Sequence, residues 1–289
     1  MIQRAAVSTW QLRGRCLPVL VSIPHSGRDL PHWVKAEARV ALDQLHRLSD
    51  PWCDLIAAPL LAAGARVVKA NLLRAVADCN RHEADMDGVD VAIGLRPRFA
   101  PPGRKARAGL GVVPARLPGC GPLWRGPIGE GEFERRLDTA HRPYHRALAD
   151  ARDELRAVHD HVLIIDLHSM PSLARGFGAA PASQIVIGNR HGRSAANSLA
   201  AVIAHHATQH HFAAAMNTPY PGGYIAETYG KPGLGVHAIQ IEFDRNLYLD
   251  ANNCLDDVRA LRLGEWLLGA VLRCLPMIGA QDDWPMAAE

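Results

Sequence analysis

The chain has 289 residues, of which 48% are apolar and 21% charged, with a formal net charge of +3. That length supports a sizeable hydrophobic core and that balance belongs to a folded globular protein, which excludes disordered and fibrous classes. Arginines are scattered instead of gathered into a run, and no apolar stretch approaches the roughly 20 residues that span a bilayer, so the expected partner is a small molecule, not nucleic acid or a membrane.

At the amino end, Met1 to Arg15 offers no apolar segment followed by a small-residue cleavage site, so secretion is not expected. Leu17 to Ile23 is the first β-rich run, and it hands His25 to the turn Pro24-His25-Ser26-Gly27. Trp33 to Leu48 has helical spacing. Ser49-Asp50-Pro51 suits a helix start, because a Ser or Asp oxygen accepts from orphan amides and proline is tolerated in the first turn. The helix carries Trp52, Leu55, Ile56, Leu60 and Leu61 on its apolar side, ends at Gly64, and sets Asp50 and Asp54 one turn apart on a shared face. Ala65 to Ala70 is the next strand. Beyond it Arg74, Asp78, Asn80 and Arg81 cluster after an apolar segment, which reads either as a buried salt bridge with a turn or as an anion-binding corner.

From about residue 82 to 127 apolar periodicity disappears, Pro and Gly are frequent, and Arg96, Arg98, Arg104, Lys105, Arg107 and Arg116 make the segment basic. A loop of that length is functional or mobile, here an excursion over a site or a surface insertion. Gly129 to Val158 reads as one long helix, bent or interrupted near Pro143, with Phe133, Leu137, Tyr144, Leu148 and Leu155 inward. Leu163 to Leu167 is a short β-branched run that delivers Asp166 and His168 to a strand end before Pro171. In open α/β sheets that end faces the crevice where chemistry sits. Arg175 to Ala182 is a small-residue loop, Gln184 to Ile187 a strand, Ser194 to His206 a helix and His210 to Met216 a strand. His205, His206, His210 and His211 alternate badly for one face and read as exposed helix-end groups. Asn217 to Tyr224 is a turn-rich loop that lets backbone approach closely. Val236 to Phe243 is the last strong strand. It carries Glu242, an acid that needs a partner or a task in apolar surroundings, with Asp244 and Arg245 just beyond. Asp256 to Leu275 is a closing amphipathic helix, and Ala280 to Glu289 a frayed tail.

Six widely spaced cysteines form no CxxC pair, which argues against a disulfide scaffold and for a cytoplasmic, reduced protein. The alternation of strands and helices, with no repeat or linker, predicts one α/β domain over 1–289, a mixed but mostly parallel sheet with helices on both faces. Its strand ends present His25, Asp50 or Asp54, the group Arg74, Asn80 and Arg81, then His168 and Glu242. Two histidines and a carboxylate make an open three-ligand zinc site, a further carboxylate can take a proton from water, and an arginine corner can hold an anionic substrate.

The ordered motifs PHSG at Pro24, SDPWCD at Ser49, DCNR at Asp78, DLHS at Asp166, NTPYPGGYI at Asn217 and QIEFDRNLYLD at Gln240 resemble the N-formylglutamate amidohydrolase family across most of the chain. That resemblance implies a zinc-exopeptidase-like fold, similar to zinc carboxypeptidases and aspartoacylases. It also implies a metal-dependent hydrolase that cleaves N-formyl-L-glutamate, an anionic N-acyl amino acid, to formate and glutamate in histidine catabolism. Carried over residue by residue, it makes His25 and His168 zinc ligands and Glu242 the general base. Arg74 then polarises the carbonyl, Asn80 and Arg81 hold the substrate carboxylate, and Tyr224 and Arg245 contact substrate. Where carboxypeptidases carry a glutamate three residues after the first histidine, this chain has Arg28. Asp50 ranks first for the missing ligand, with Asp29 and Asp54 as alternatives. A peptidase or deacylase on the same fold and a non-catalytic binder of acidic small molecules are the rival readings.

Overall fold

The computed structural model describes residues 5–12, 14, 16–99, 101–173 and 182–278. The loop expected over 175–182, but for its last residue, and the tail at 280–289 lie outside the described residues.

The chain runs through β1 (Val7–Trp10), β2 (Val19–Ile23), the short helices α1 (His32–Glu37), α2 (Leu42–His46), α3 (Cys53–Ile56) and α4 (Ala58–Ala63), and then β3 (Arg66–Ala70). The basic segment holds α5 (Arg104–Arg107) and a small hairpin of β4 (Arg116–Leu117) and β5 (Gly121–Pro122). After α6 (Glu130–Arg136) and α7 (Arg142–Arg156) come β6 (Val162–Met170), β7 (Ile185–Gly188), α8 (Asn197–Gln209), β8 (Ala214–Met216), α9 (Tyr224–Tyr229), β9 (Val236–Asp244) and α10 (Asp257–Cys274).

Seven strands form one sheet in the order β1-β3-β2-β6-β9-β7-β8. Strands β3, β2, β6 and β9 are parallel, β1 is antiparallel to β3 at one edge, and β7 with β8 runs antiparallel to β9 at the other. The mixed, mostly parallel α/β architecture expected from the sequence is therefore the one observed. Every residue of β6 and β9 is buried, as central strands covered on both faces require. Alternate side chains serve the two layers. Leu163, Ile165 and Leu167 face α3, α4, α8 and α10, whereas Val162 and Ile164 face α7 and α9.

Helix α10 forms where Asp256 caps its start, accepting from the Arg259 amide at 3.0 Å. Ala260, Leu263, Leu267, Ala270, Val271 and Cys274 then recur at helical spacing on its buried face. Gly264 lies in that stripe because a Cβ there would stand 2.4 Å from the Ile56 carbonyl oxygen.

Several local expectations need correction. The segment at Trp33 to Leu48 forms α1 and α2, broken between them. The helix expected from Pro51 is split into α3 and α4, because Trp52 is left-handed and Pro59 cannot donate to a continuing ladder. Gly64 does end α4, at φ +109°. Helices α6 and α7 are joined by a π-helical turn at Leu137–His141, so the irregularity precedes Pro143. The strand expected from His210 is confined to Ala214–Met216, since His210 closes α8 and His211 is left-handed. His206 is buried and stacks on Trp266 at 5.4 Å, which corrects its reading as an exposed group. The basic segment is packed, not open: Met86, Val91, Leu95, Val112, Val113, Leu123 and Trp124 share an apolar cluster with Val34, Leu45, Leu73 and Phe133. No helix among the described residues is long and apolar enough to cross a membrane.

Candidate active site

Three parallel strands build the site at their carboxyl ends. Strand β2 ends just before His25, β6 carries Asp166 and His168, and β9 carries Gln240 and Glu242. Register sets Asp166 beside Gln240 and His168 beside Glu242. Because residues two apart share a face, all four side chains turn to the same side. Asp50 arrives from the loop before α3, where its amide donates to the His25 carbonyl at 3.0 Å.

His25 Nδ1 lies 3.2 Å and His168 Nδ1 2.9 Å from the same Asp50 Oδ2. On their far sides, His25 Nε2 lies 2.7 Å from Asp78 Oδ1 and His168 Nε2 2.9 Å from Asp166 Oδ2. An ionised carboxylate only accepts, so Asp78 requires the proton of His25 on Nε2, while the Nε2 of His168 meets the Asn80 amide nitrogen at 3.0 Å as well as Asp166. A neutral His25 then aims a bare Nδ1 lone pair at the Asp50 oxygen, an arrangement that repels unless a proton or a metal cation sits between. His25, Asp50 and His168 are all buried, and ligand atoms from the three lie within 4.8 Å of one another. The donor set thus fits a divalent metal, with Asp78 and Asp166 as the outer carboxylates that orient ligand histidines.

The electrostatics follow the same contacts. Burial works against ionisation of Asp50, but hydrogen bonds and charge from His168 and His25 hold it well below the carboxylate range. Burial likewise opposes ionisation of Asp78, and the charges of Arg74 and His25 outweigh it. Burial would discharge His168, yet Asp166 and Asp50 push it well above the usual imidazole value. Glu242 moves the other way: burial raises it and the charge of Asp50 adds to that, while His168 opposes.

His25, Asp50, His168 and Glu242 line a cleft of about 410 Å³ that also includes Arg47, Arg74, Arg81, Lys105, Tyr220 and Arg245. Of the carboxylates considered for the metal, the structure brings Asp50 to the histidines. Asp54 instead accepts from Ser26 Oγ at 2.8 Å and Lys69 Nζ at 2.5 Å, and Asp29 lines a separate hollow with Lys69 and Asn71. Arg28, standing where carboxypeptidases have glutamate, lays its guanidinium 3.7 Å over the Trp52 ring.

Other expected roles change. Arg74 lines the cleft, but its Nε and Nη2 donate to Asp78 Oδ2 at 2.9 and 2.6 Å and its Nη1 to the Leu48 carbonyl at 3.2 Å. It is engaged with the carboxylate behind His25 instead of being free to meet a carbonyl. Asn80 lines the cleft, accepts from the Ile225 amide at 2.8 Å and donates to Asp166 at 3.1 Å, so it braces the site from within. A Cβ at Gly223 would stand 2.5 Å from that amide group, which explains the glycine. Arg245 donates to the Ser49 carbonyl at 2.6 Å and to Asp50 Oδ1 at 3.2 Å, steadying the loop that supplies Asp50. Tyr224 is outside the cleft lining and packs edge-on to His82 and His145, whereas Tyr220 lines it. Arg81 lines the cleft with only long ion pairs, to Asp78 at 3.8 Å and Asp85 at 3.7 Å, and its buried Nε has no hydrogen-bond partner.

The reading from sequence missed Gln240, Tyr220 and Lys105. Gln240 was findable, since it stands two residues from Glu242 on the same strand face and donates to Glu242 Oε1 at 2.8 Å. Tyr220 and Lys105 gave no local signal, because each reaches the cleft only through the folding of a long connection.

A family model described as N-formylglutamate amidohydrolase matches residues 17–249. An N-formylglutamate deformylase of Pseudomonas putida is 31% identical over 248 residues, covering 81% of this chain and 82% of that protein. One of Pseudomonas aeruginosa is 30% identical, covering 82% and 84%. Among solved structures, an N-formylglutamate amidohydrolase from Ralstonia eutropha JMP134 superposes with a TM-score of 0.86 at 25% identity, over 95% of this chain and 99% of that one.

Proposed function

Because the chain belongs to the N-formylglutamate amidohydrolase family, we propose that it hydrolyses N-formyl-L-glutamate to formate and L-glutamate with a divalent metal, zinc first among them. The observation that carries this reading is the convergence of two imidazole nitrogens and a carboxylate oxygen beside Glu242 in one cleft. His25, Asp50 and His168 would hold the metal, a borderline-soft N₂O set that suits zinc. Bound there, it supplies a Lewis acid that acidifies water and polarises the formyl carbonyl.

The residues of the chain do the rest. Asp78 holds His25 in one tautomer, and Asp166 with Asn80 orients His168. Glu242 has one oxygen engaged by Gln240, leaving the other to take the proton of the attacking water and return it to the departing amine nitrogen. Burial and the charge of Asp50 hold its pKa above the usual carboxylate value, which makes the carboxylate a stronger base for the first half of that exchange. Arg81, which lines the cleft, receives the α-carboxylate and so fixes the amide beside the metal ligands.

The test is metal analysis of protein purified without chelator, paired with formate release from N-formyl-L-glutamate before and after metal removal. Formate release that disappears with the metal and returns with zinc is expected. Full activity in metal-free protein would sink the metal role, and no formate release from the zinc-loaded protein would sink the substrate.

A further inference from the structure

The cleft holds more cations than one carboxylate needs, and most are already engaged. Arg74 is tied to Asp78 and the Leu48 carbonyl, and Arg245 to Asp50 and the Ser49 carbonyl. Arg47 donates to Gln44 Oε1 at 3.0 Å. Two cations remain without a hydrogen bond from a described residue. Arg81 is one, and its nearest carboxylate oxygens are 3.7 and 3.8 Å away. Lys105 is the other: its Nζ stands 5.2 Å from the centre of the Tyr220 ring, and no described carboxylate lies within ion-pair distance of it.

Lys105 is held in place by its surroundings. Ala106 is buried in α5, and the Leu110 amide closes the turn onto the Lys105 carbonyl at 2.8 Å. Arg116 donates to the Arg107 carbonyl at 3.0 Å and pairs with Asp87 and Asp90. The short helix is therefore fixed to the packed basic segment, and Lys105 joins Leu110 and Leu117 in the cleft wall opposite Glu242 and His168. Crowding by protein, together with the charges of Arg81 and Arg74, holds its ammonium below the usual lysine value. A cation in that position gains most from an added anion.

We propose that Lys105 is a specificity-determining residue that receives the second, side-chain carboxylate of a dianionic N-acyl amino acid, with Arg81 taking the first. The assignment rests on the function proposed above and deepens it. Lys105, which has no ion pair among the described residues, and Arg81, whose ion pairs with Asp78 and Asp85 are long, match two carboxylates on one substrate, and the apolar wall of Leu110 and Leu117 suits the methylenes between them. A neutral amide in place of the second carboxylate would leave the ammonium without its counter-charge, and such a site discriminates through the group it is built to bind.

The experiment compares N-formyl-L-glutamate with its neutral isostere N-formyl-L-glutamine in the zinc-loaded protein, its Lys105→Met variant and its Lys105→Arg variant. The parent should prefer the glutamate substrate by 30-fold or more in kcat/KM. Lys105→Met should remove that preference by raising KM for the glutamate substrate alone, and Lys105→Arg should keep most of it. Equal losses on both substrates, or no change on either, would overturn the proposal. So would a collapse of preference in Arg47→Ala with Lys105→Met unaffected. A parent that hydrolyses both substrates equally overturns Lys105 as the reader and leaves the hydrolase standing. A parent that releases formate from neither overturns both.

Discussion

At the scale of single residues, the site is a matter of which atom each side chain leaves free. Glu242→Gln keeps size and the neighbour Gln240 but cannot accept a proton, so kcat should fall by about 10²–10⁴-fold with KM little changed, measured by formate release. Near-parental kcat would remove Glu242 from the reaction. Asp78→Asn can no longer demand the Nε2 proton of His25, and metal affinity should drop by about 10–100-fold in a competition titration. His145 offers a pH test remote from the ligands. Its Nε2 donates to the Cys79 carbonyl at 2.8 Å, and burial first, then the charge of His141, push it down to about 4. In the unfolded chain it titrates near 6.5, so between about 6.5 and 4 the unfolded state binds more protons. Stability is thus full above that window and declines as pH falls through it, by at most about 1.4 kcal/mol per pH unit. In His145→Gln the fall in Tm across the window should be shallower, and an unchanged slope would exclude His145 as its source. His25, His168 and Glu242 were legible because each follows or ends a β-branched run. The outer role of Asp166, the brace formed by Asn80 and the engagement of Arg74 were not, because they depend on partners brought from distant strands.

At the scale of elements, central strands and the long helices could be read from periodicity, and irregular joints could not. Strands β2, β3, β6 and β9 announce themselves as apolar runs, and α10 by its spacing and cap. Strand β1 was missed: Val7–Trp10 is half-exposed at a sheet edge, where no continuous apolar run is required. The π-helical turn at Leu137–His141 was also hidden, since one extra residue per turn leaves composition unchanged. Yet it places His141 and His145 behind the Asp78–Arg81 turn, where they bond the carbonyls of Arg81 and Cys79 at 2.8 Å each. Between α10 and α3, Gly264→Ala must move the Ile56 carbonyl, which is backbone and cannot rotate away. Its cost should be about 1–3 kcal/mol in denaturant unfolding. An unchanged midpoint would show that the two helices are free to separate.

At the scale of the molecule, composition and alternation were enough for the fold class, but the apolar cluster that packs the basic segment was not legible. Its apolar residues are spaced for a cluster without regular secondary structure, a pattern that periodicity cannot detect. Each of Met86, Val91, Leu95, Val112, Val113, Leu123 and Trp124 is buried. At about 1.5–3 kcal/mol per side chain, their sum is at least comparable to the ~5–15 kcal/mol by which a domain is stable. Replacing 82–127 with a short linker should therefore abolish cooperative unfolding, not merely relax substrate choice. A folded, cooperative deletion variant would show that the cluster is dispensable. Metal should act globally too, because a ligand that binds only the folded state stabilises it by about 4 kcal/mol at 1,000 times its Kd. Chelation should lower Tm and zinc restore it.

The sheet order carries a consequence for how the molecule is made. Strand β9 is the last of the sheet to be synthesised, yet it lies between β6 and β7. A nascent chain that has emerged only as far as residue 235 owns both neighbours and nothing to join them, so β7 and β8 have no route to the rest of the sheet. Glu242, the proposed general base, arrives with the strand that closes this gap. Assembly of the sheet and appearance of the site become one late event, and chains released early should expose two open strand edges, a species for chaperones to hold.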